Sequence, residues 1–182
     1  MSTKLKVINL FGGPGAGKST TRASLFSIMK VNGINVEEVT EYAKDKTWEE
    51  NRVALSDQLY LLGNQNYKLS RLQDKVEWVV SDSPILLGIH YSLPDYLPST
   101  FKSLVYELWG RYDNYNFFID RGNKPYSPIG RNQTSNEAKN IDNSIRCMLQ
   151  GDTGHPINYR IVKWDGINTA NQIYKKIFVD VS

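Results

Sequence analysis

The chain has 182 residues, 40% of them hydrophobic and 23% charged, with a formal net charge of +3. This balance excludes a disordered chain, 13 Gly and 7 Pro without a period exclude a collagen-like one, and a lone cysteine, Cys147, excludes a disulfide scaffold. No apolar run approaches the ~20 residues of a membrane helix, and residues 1–6 do not read as a signal peptide. The expectation is one cytoplasmic domain over 1–182 with no membrane partner. The mild positive charge permits an anionic partner without requiring one.

In chain order, residues 6–11 are apolar and β-prone and predict a first strand. A glycine-rich stretch, 12–19, follows, and then a helical stretch, 20–30, closed by Gly33. Residues 34–40 predict strand two. Residues 48 to about 72 predict one long helix, because Leu55, Leu59, Leu62, Asn66 and Leu69 recur at helical spacing. Residues 76–81 are an apolar run of the buried parallel kind, strand three. A two-proline loop over 93–98 and a helix over 101–111 come next, then strand four over 115–120. A charged loop over 122–134, a helix over 136–149, strand five over 158–164 and a helix over 169–178 complete the chain. Strands alternating with helices predict an α/β fold with a mostly parallel sheet and right-handed crossovers.

Gly12-Gly13-Pro14-Gly15-Ala16-Gly17-Lys18-Ser19 matches G-x-x-x-x-G-K-[ST] between a strand and a helix, the context of a P-loop. Glycines let backbone N–H groups turn inward around a phosphate where a Cβ would block them. The helix start adds its own unpaired N–H groups and dipole. Gly13, Pro14, Gly15, Ala16, Gly17, Lys18, Ser19 and Thr20 are the candidate ATP-binding residues. Lys18 can reach the β and γ phosphates, the Ser19 hydroxyl can ligate Mg²⁺, and Thr20 offers a hydroxyl near the α phosphate.

Ligands of open α/β sheets sit beyond the carboxyl ends of the strands. Strand three ends in Ser81-Asp82-Ser83-Pro84, which places Asp82 to hold Mg²⁺ beside Ser19; the alternative is a capping Asp before a turn. Strand two ends in Thr40-Glu41-Tyr42, and Glu41 is a candidate base for a hydroxyl acceptor or else a surface residue at a helix start. After strand four, a loop of about 121–135 carries Arg121, Lys124 and Arg131. It reads either as a lid whose arginines stabilise transferring phosphate or as an ordinary solvated loop. Tyr42 and Trp48 flank the expected cleft, as stacking partners or as packing. Tyr60 and Tyr67 read as core or groove lining and Cys147 as helix packing, while His90 and His155 have no metal-type spacing.

Residues 7–21, the Val39-Thr40-Glu41-Tyr42-Ala43-Lys44-Asp45 stretch and Ser81-Asp82-Ser83-Pro84 resemble a family of small P-loop proteins common in tailed phages. That family is grouped, as an AAA domain family, with the ribosylnicotinamide-kinase domain of the NadR type. Lys124-Pro125-Tyr126 and Gly130-Arg131-Asn132-Gln133-Thr134, with Glu137-Ala138, fit its pattern too. The resemblance implies a P-loop fold of nucleotide-kinase type, with a five-stranded parallel sheet ordered 2-3-1-4-5. It implies ATP and Mg²⁺ as cofactors and host cytoplasm for a phage-encoded chain. It maps the base onto Glu41, the acidic metal residue onto Asp82 and the lid arginines onto Arg121 and Arg131. Related nucleoside kinases place an arginine after the strand-three acid; here Asp82-Ser83-Pro84 lacks it.

Three functions compete. A metabolic kinase would phosphorylate a hydroxyl of a nucleoside, nucleotide or nicotinamide-riboside-like acceptor. A DNA-modification kinase would act on hydroxymethylated pyrimidine and needs a basic groove beside the cleft, of which the sequence shows no dense Lys/Arg stripe. A regulatory ATPase or nucleotide-binding switch would need the P-loop and Asp82 but not Glu41 or a lid. Oligomeric state is not encoded in any feature named above.

Overall fold

The computed structural model describes residues 3–92, 98–123, 125–129, 133–152 and 154–180. Five parallel strands form one sheet in the order β2-β3-β1-β4-β5. They are β1 (Lys6–Phe11), β2 (Val36–Val39), β3 (Trp78–Ser81), β4 (Asp113–Asp120) and β5 (Arg160–Lys163). The order is the one expected. It puts β1 between β3 and β4, with Val7 opposite Val79 and Asn114, so the P-loop leaves the middle of the sheet.

Alternation along the strands divides the core between the two faces. Ile8, Leu10, Val80, Phe117 and Ile119 pack with Leu25 and Met29 of α1 (Lys18–Val31) and Ile173 and Ile177 of α8 (Asn168–Phe178). Val7, Phe11, Val79 and Phe118 pack on the other face with Leu62, Leu69, Phe101, Val105 and Ile145. Those come from α4 (Gln58–Ser70), α6 (Pro98–Trp109) and α7 (Ser135–Cys147), and the segment after α7, Met148–Asp152, is kinked at Gly151 (φ 108). One polar residue of β1 points into this core. Asn9 is buried and donates to Val7 O (3.2 Å), Asn114 Oδ1 (3.0 Å) and Asn116 Oδ1 (3.2 Å), so its burial is compensated.

The long helix expected over 48–72 is instead three: α2 (Tyr42–Trp48), α3 (Arg52–Ser56) and α4. Two caps cut it. Asn51 accepts from Ala54 N and starts α3, and Asp57, extended at φ −92 and ψ 91, accepts from Tyr60 N and starts α4. Short polar side chains that compete for backbone N–H groups outweigh the leucine rhythm at these two points. Of the expected face, Leu62 and Leu69 are buried in α4, but Leu59 is exposed and Gln58 and Gln65 are buried beside them. A short α5 (Leu87–Tyr91) follows β3 and was not anticipated. Residues 93–97 of the expected proline loop lie outside the described residues. No helix among the described residues is long and apolar enough to cross a membrane.

Candidate active site

The P-loop joins β1 to α1. Gly17 caps α1 at φ 108, and a Cβ there would lie 2.3 Å from the Trp164 ring, so both conformation and packing require glycine. Gly13 is required for packing alone: its Cβ would meet Ala138 O at 2.6 Å and Asp142 Oδ1 at 2.9 Å. Lys18 Nζ donates to Gly12 O (2.7 Å) and Gly13 O (3.2 Å), folding the lysine along the loop. Burial lowers its pKa, and the negative charges of Glu41 and Asp82 oppose that shift.

Glu41 ends the β2–α2 connection and Asp82 follows β3. Both line one cavity of about 360 Å³ with Pro14, Gly15, Gly17, Lys18, Ser19 and Thr20. The structure therefore brings the three predicted elements together: the phosphate loop, the strand-two carboxylate and the strand-three carboxylate. Burial raises the pKa of Glu41, Lys18 pulls it down, and the neighbouring Asp82 charge adds to the rise. Asp82 is buried. Its Oδ2 lies 3.2 Å from Arg22 Nε, and Arg22 also pairs with Glu38. Asp82 Oδ1 is buried without a hydrogen-bond partner among the described residues. An unpaired carboxylate oxygen and the Ser19 hydroxyl on one cavity are oxygen donors of the kind Mg²⁺ takes, so these residues fit that ion.

Arg121 departs from its expected place on a mobile lid. It is buried, its Nε donates to Asp142 Oδ2, and its Nη2 donates to Ala138 O at 3.1 Å. Asp142 Oδ1 accepts from Gly13 N at 2.5 Å. A guanidinium this withdrawn from water needs a carboxylate, and α7 supplies one two turns into the helix. Arg121 thus buttresses the P-loop from behind and does not line the cavity. The loop itself does reach the cleft, because Ile129 and Gln133 line it. Lys124 and Arg131 lie outside the described residues. Thr134 then starts α7 with a capping box to Glu137.

Other expectations divide. Tyr42 lines the cavity and its hydroxyl hydrogen-bonds that of Tyr60 at 2.6 Å. Trp48 is 62% exposed and Tyr67 66% exposed, and neither lines the cavity. Cys147 is exposed, not packed. The remaining wall of the cavity comes from residues that the sequence does not mark as site residues. It includes Leu55, Gln58, Leu61, Leu62, Gln65, Ile85, Leu87 and Tyr91. A signal was available: Gln58 and Gln65 share one face of a helix otherwise buried through Leu62 and Leu69.

Residues 7–169 match the family described as an AAA domain. No curated protein sequence matches the chain at a significant level. Among solved structures it resembles deoxyadenosine kinase from M. mycoides with bound dATP, at TM-score 0.58 and 15% identity over 94% of this chain and 98% of that one. The same kinase with the products dCMP and a flexible dCDP gives TM-score 0.55 at 15% identity, over 94% and 98%. At such identity the likeness is one of fold, and the fold is that of P-loop nucleoside kinases. With a P-loop at the centre of a 2-3-1-4-5 sheet and a family match over most of its length, the chain belongs to the AAA domain family.

Proposed function

We propose that this protein is an ATP-dependent phosphotransferase that moves the γ-phosphate of ATP to a hydroxyl of a nucleoside, nucleotide or nicotinamide-riboside-like acceptor. The observation that carries the reading is Glu41 on the same cavity as Lys18 and Asp82. A nucleotide-binding switch does not require a carboxylate at that position, whereas transfer to a hydroxyl is served by one. In this reading Glu41 takes the proton of the acceptor hydroxyl as its oxygen bonds to the γ-phosphorus and the bond to the departing ADP oxygen breaks. Its raised pKa suits a base, because proton affinity nearer the operating pH makes uptake more favourable. Lys18 and the P-loop N–H groups hold the phosphates. Ser19 and Asp82 would hold Mg²⁺, which supplies charge neutralisation on the phosphate oxygens.

The wall facing the P-loop suits the body of the acceptor. Leu55, Leu61, Leu62, Ile85 and Leu87 are apolar, and Gln58 adds an amide whose Nε2 donates to Leu55 O at 3.3 Å. An apolar slot with few polar groups fits a planar ring carrying a polar edge. The segment of about 121–135 is the proposed lid, with Arg131 its candidate cation and Arg121 a support of the P-loop.

The test is thermal stabilisation by nucleosides, nucleotides and nicotinamide riboside, each with Mg²⁺ and a non-hydrolysable ATP analogue. Transfer from ATP to the best acceptor is then measured for the native protein and for Glu41→Gln. The expected result is transfer that fails in Glu41→Gln while the ATP analogue still binds. ATP hydrolysis with no acceptor stabilised and no effect of Glu41→Gln would establish a switch instead.

A further inference from the structure

Gln65 is 5% exposed, on α4, and its side-chain amide spans the residue proposed as the base. Its Oε1 accepts from Tyr42 N at 3.0 Å, and its Nε2 donates to Thr40 O at 3.3 Å. The two contacts fall on the residues immediately before and after Glu41. We propose that Gln65 is a positioning residue: a clamp on the backbone either side of Glu41 that sets where its carboxylate stands against Lys18 and Asp82. The proposal rests on the phosphotransferase reading for its catalytic consequence, and on the hydrogen bonds alone for the clamp.

Three features support it. The buried stripe of α4 is Gln58, Leu62, Gln65 and Leu69, and an amide buried there has to be matched by polar partners. A carboxamide also offers a donor and an acceptor on separate atoms a short distance apart, which suits the C=O of residue 40 and the N–H of residue 42. Lastly, α4 grips the same turn again. Lys68 Nζ donates to Thr40 O (3.3 Å) and Thr40 Oγ1 (3.2 Å), lies 3.7 Å from Asp45 Oδ2, and sits over the Tyr42 ring at 5.4 Å. The Tyr60 hydroxyl holds that of Tyr42. Glu41 itself caps α2 with an extended backbone, φ −65 and ψ 114, and makes no side-chain cap bond. Its carboxylate is thus left for the cavity while the peptide groups around it are tied to α4.

The clamp is tested with Gln65→Leu, which removes both hydrogen bonds at nearly constant volume, and Gln65→Glu, which keeps an acceptor for Tyr42 N and loses the donor to Thr40. Amide exchange by NMR reads the clamp without any acceptor substrate. Tyr42 N–H should lose protection about 10-fold or more in Gln65→Leu and keep it in Gln65→Glu, with α4 amides unchanged in both. In transfer assays with the acceptor that stabilises the protein best, Gln65→Leu should lower kcat about 10- to 100-fold. KM for ATP should stay within about twofold, since the donor side is untouched. Unchanged Tyr42 protection in Gln65→Leu overturns the clamp, as does protection lost throughout α4. An intact kcat, or a KM for ATP that rises in step with the loss of kcat, overturns the positioning role. Glu41→Gln run alongside separates the two ideas: full transfer in that variant removes the base, while the exchange result still decides whether Gln65 holds the turn.

Discussion

On one side of the cleft, a continuous stretch from Gly12 to Ser19 supplies the loop, the lysine and the hydroxyl, and its chemistry is mainly that of backbone N–H groups. On the facing side, Glu41, Gln58, Gln65, Ile85, Leu87 and Tyr91 come from the β2–α2 turn, from α4 and from the segment after β3. The first wall is written locally and the second is assembled. Yet the local wall is not self-sufficient. Its Gly13 N–H is held by Asp142 from α7, far along the chain, and Asp142 in turn neutralises Arg121. A short motif can encode the phosphate site and still depend on a distant helix for its shape.

That dependence can be attacked most strongly at Asp142. Asp142→Ala leaves the Arg121 guanidinium buried and unpaired, and it should cost about 3–5 kcal/mol of stability in urea unfolding. A cost under about 1 kcal/mol, typical of a solvent-screened pair, would show that the P-loop supports itself.

Next in size is the contrast between the walls. Glu41→Gln should reduce transfer about 10²- to 10⁴-fold with ATP-analogue binding retained. Lys18→Met should reduce transfer about 10²- to 10³-fold and weaken the analogue as well, if Lys18 holds the phosphates as proposed. Equal effects of the two variants on analogue binding would erase the distinction between donor and acceptor sides. Gly13→Ala then tests fit: a Cβ 2.6 Å from Ala138 O must displace α7 or the loop, for about 1–3 kcal/mol by thermal unfolding.

The smallest expected effect concerns pH. Glu41 has its pKa raised above 4.5 by burial, so the folded state holds that proton more tightly than the unfolded chain does. Its contribution to stability is therefore full below pH 4.5 and is lost as the pH rises through the folded pKa. Glu41→Gln removes this loss, so Tm of the variant should exceed that of the native protein at neutral pH, and the gap should close on acidification. A gap independent of pH would show that the carboxylate carries no such burden. A buried carboxylate that destabilises its own fold is a common compromise at functional sites.

Much of the fold was legible because its signals are short-range. Strand period, a P-loop between strand and helix, and a carboxylate at the end of β2 or of β3 are each written within a few residues. The helical region between β2 and β3 was not legible in the same way. Apolar spacing predicts one helix with Leu55, Leu59, Leu62, Asn66 and Leu69 on its face, whereas the caps at Asn51 and Asp57 cut it and α4 turns Gln58 and Gln65 inward with Leu62 and Leu69. Apolar periodicity cannot register a glutamine whose burial is compensated by backbone groups of another segment.

By itself the chain's order of residues determined the parallel sheet, the phosphate loop and the two carboxylates at its rim, since each rests on local backbone conformation or on a period. Tertiary structure decided the fate of the arginine after β4 and the composition of the acceptor wall. Arg121 became a buried partner of Asp142 because α7 packs against the P-loop and only an ion pair offsets the desolvation of a guanidinium there. Gln65 became a neighbour of Glu41 because α4 packs beside the β2–α2 turn, where its amide meets the Tyr42 N–H and the Thr40 C=O.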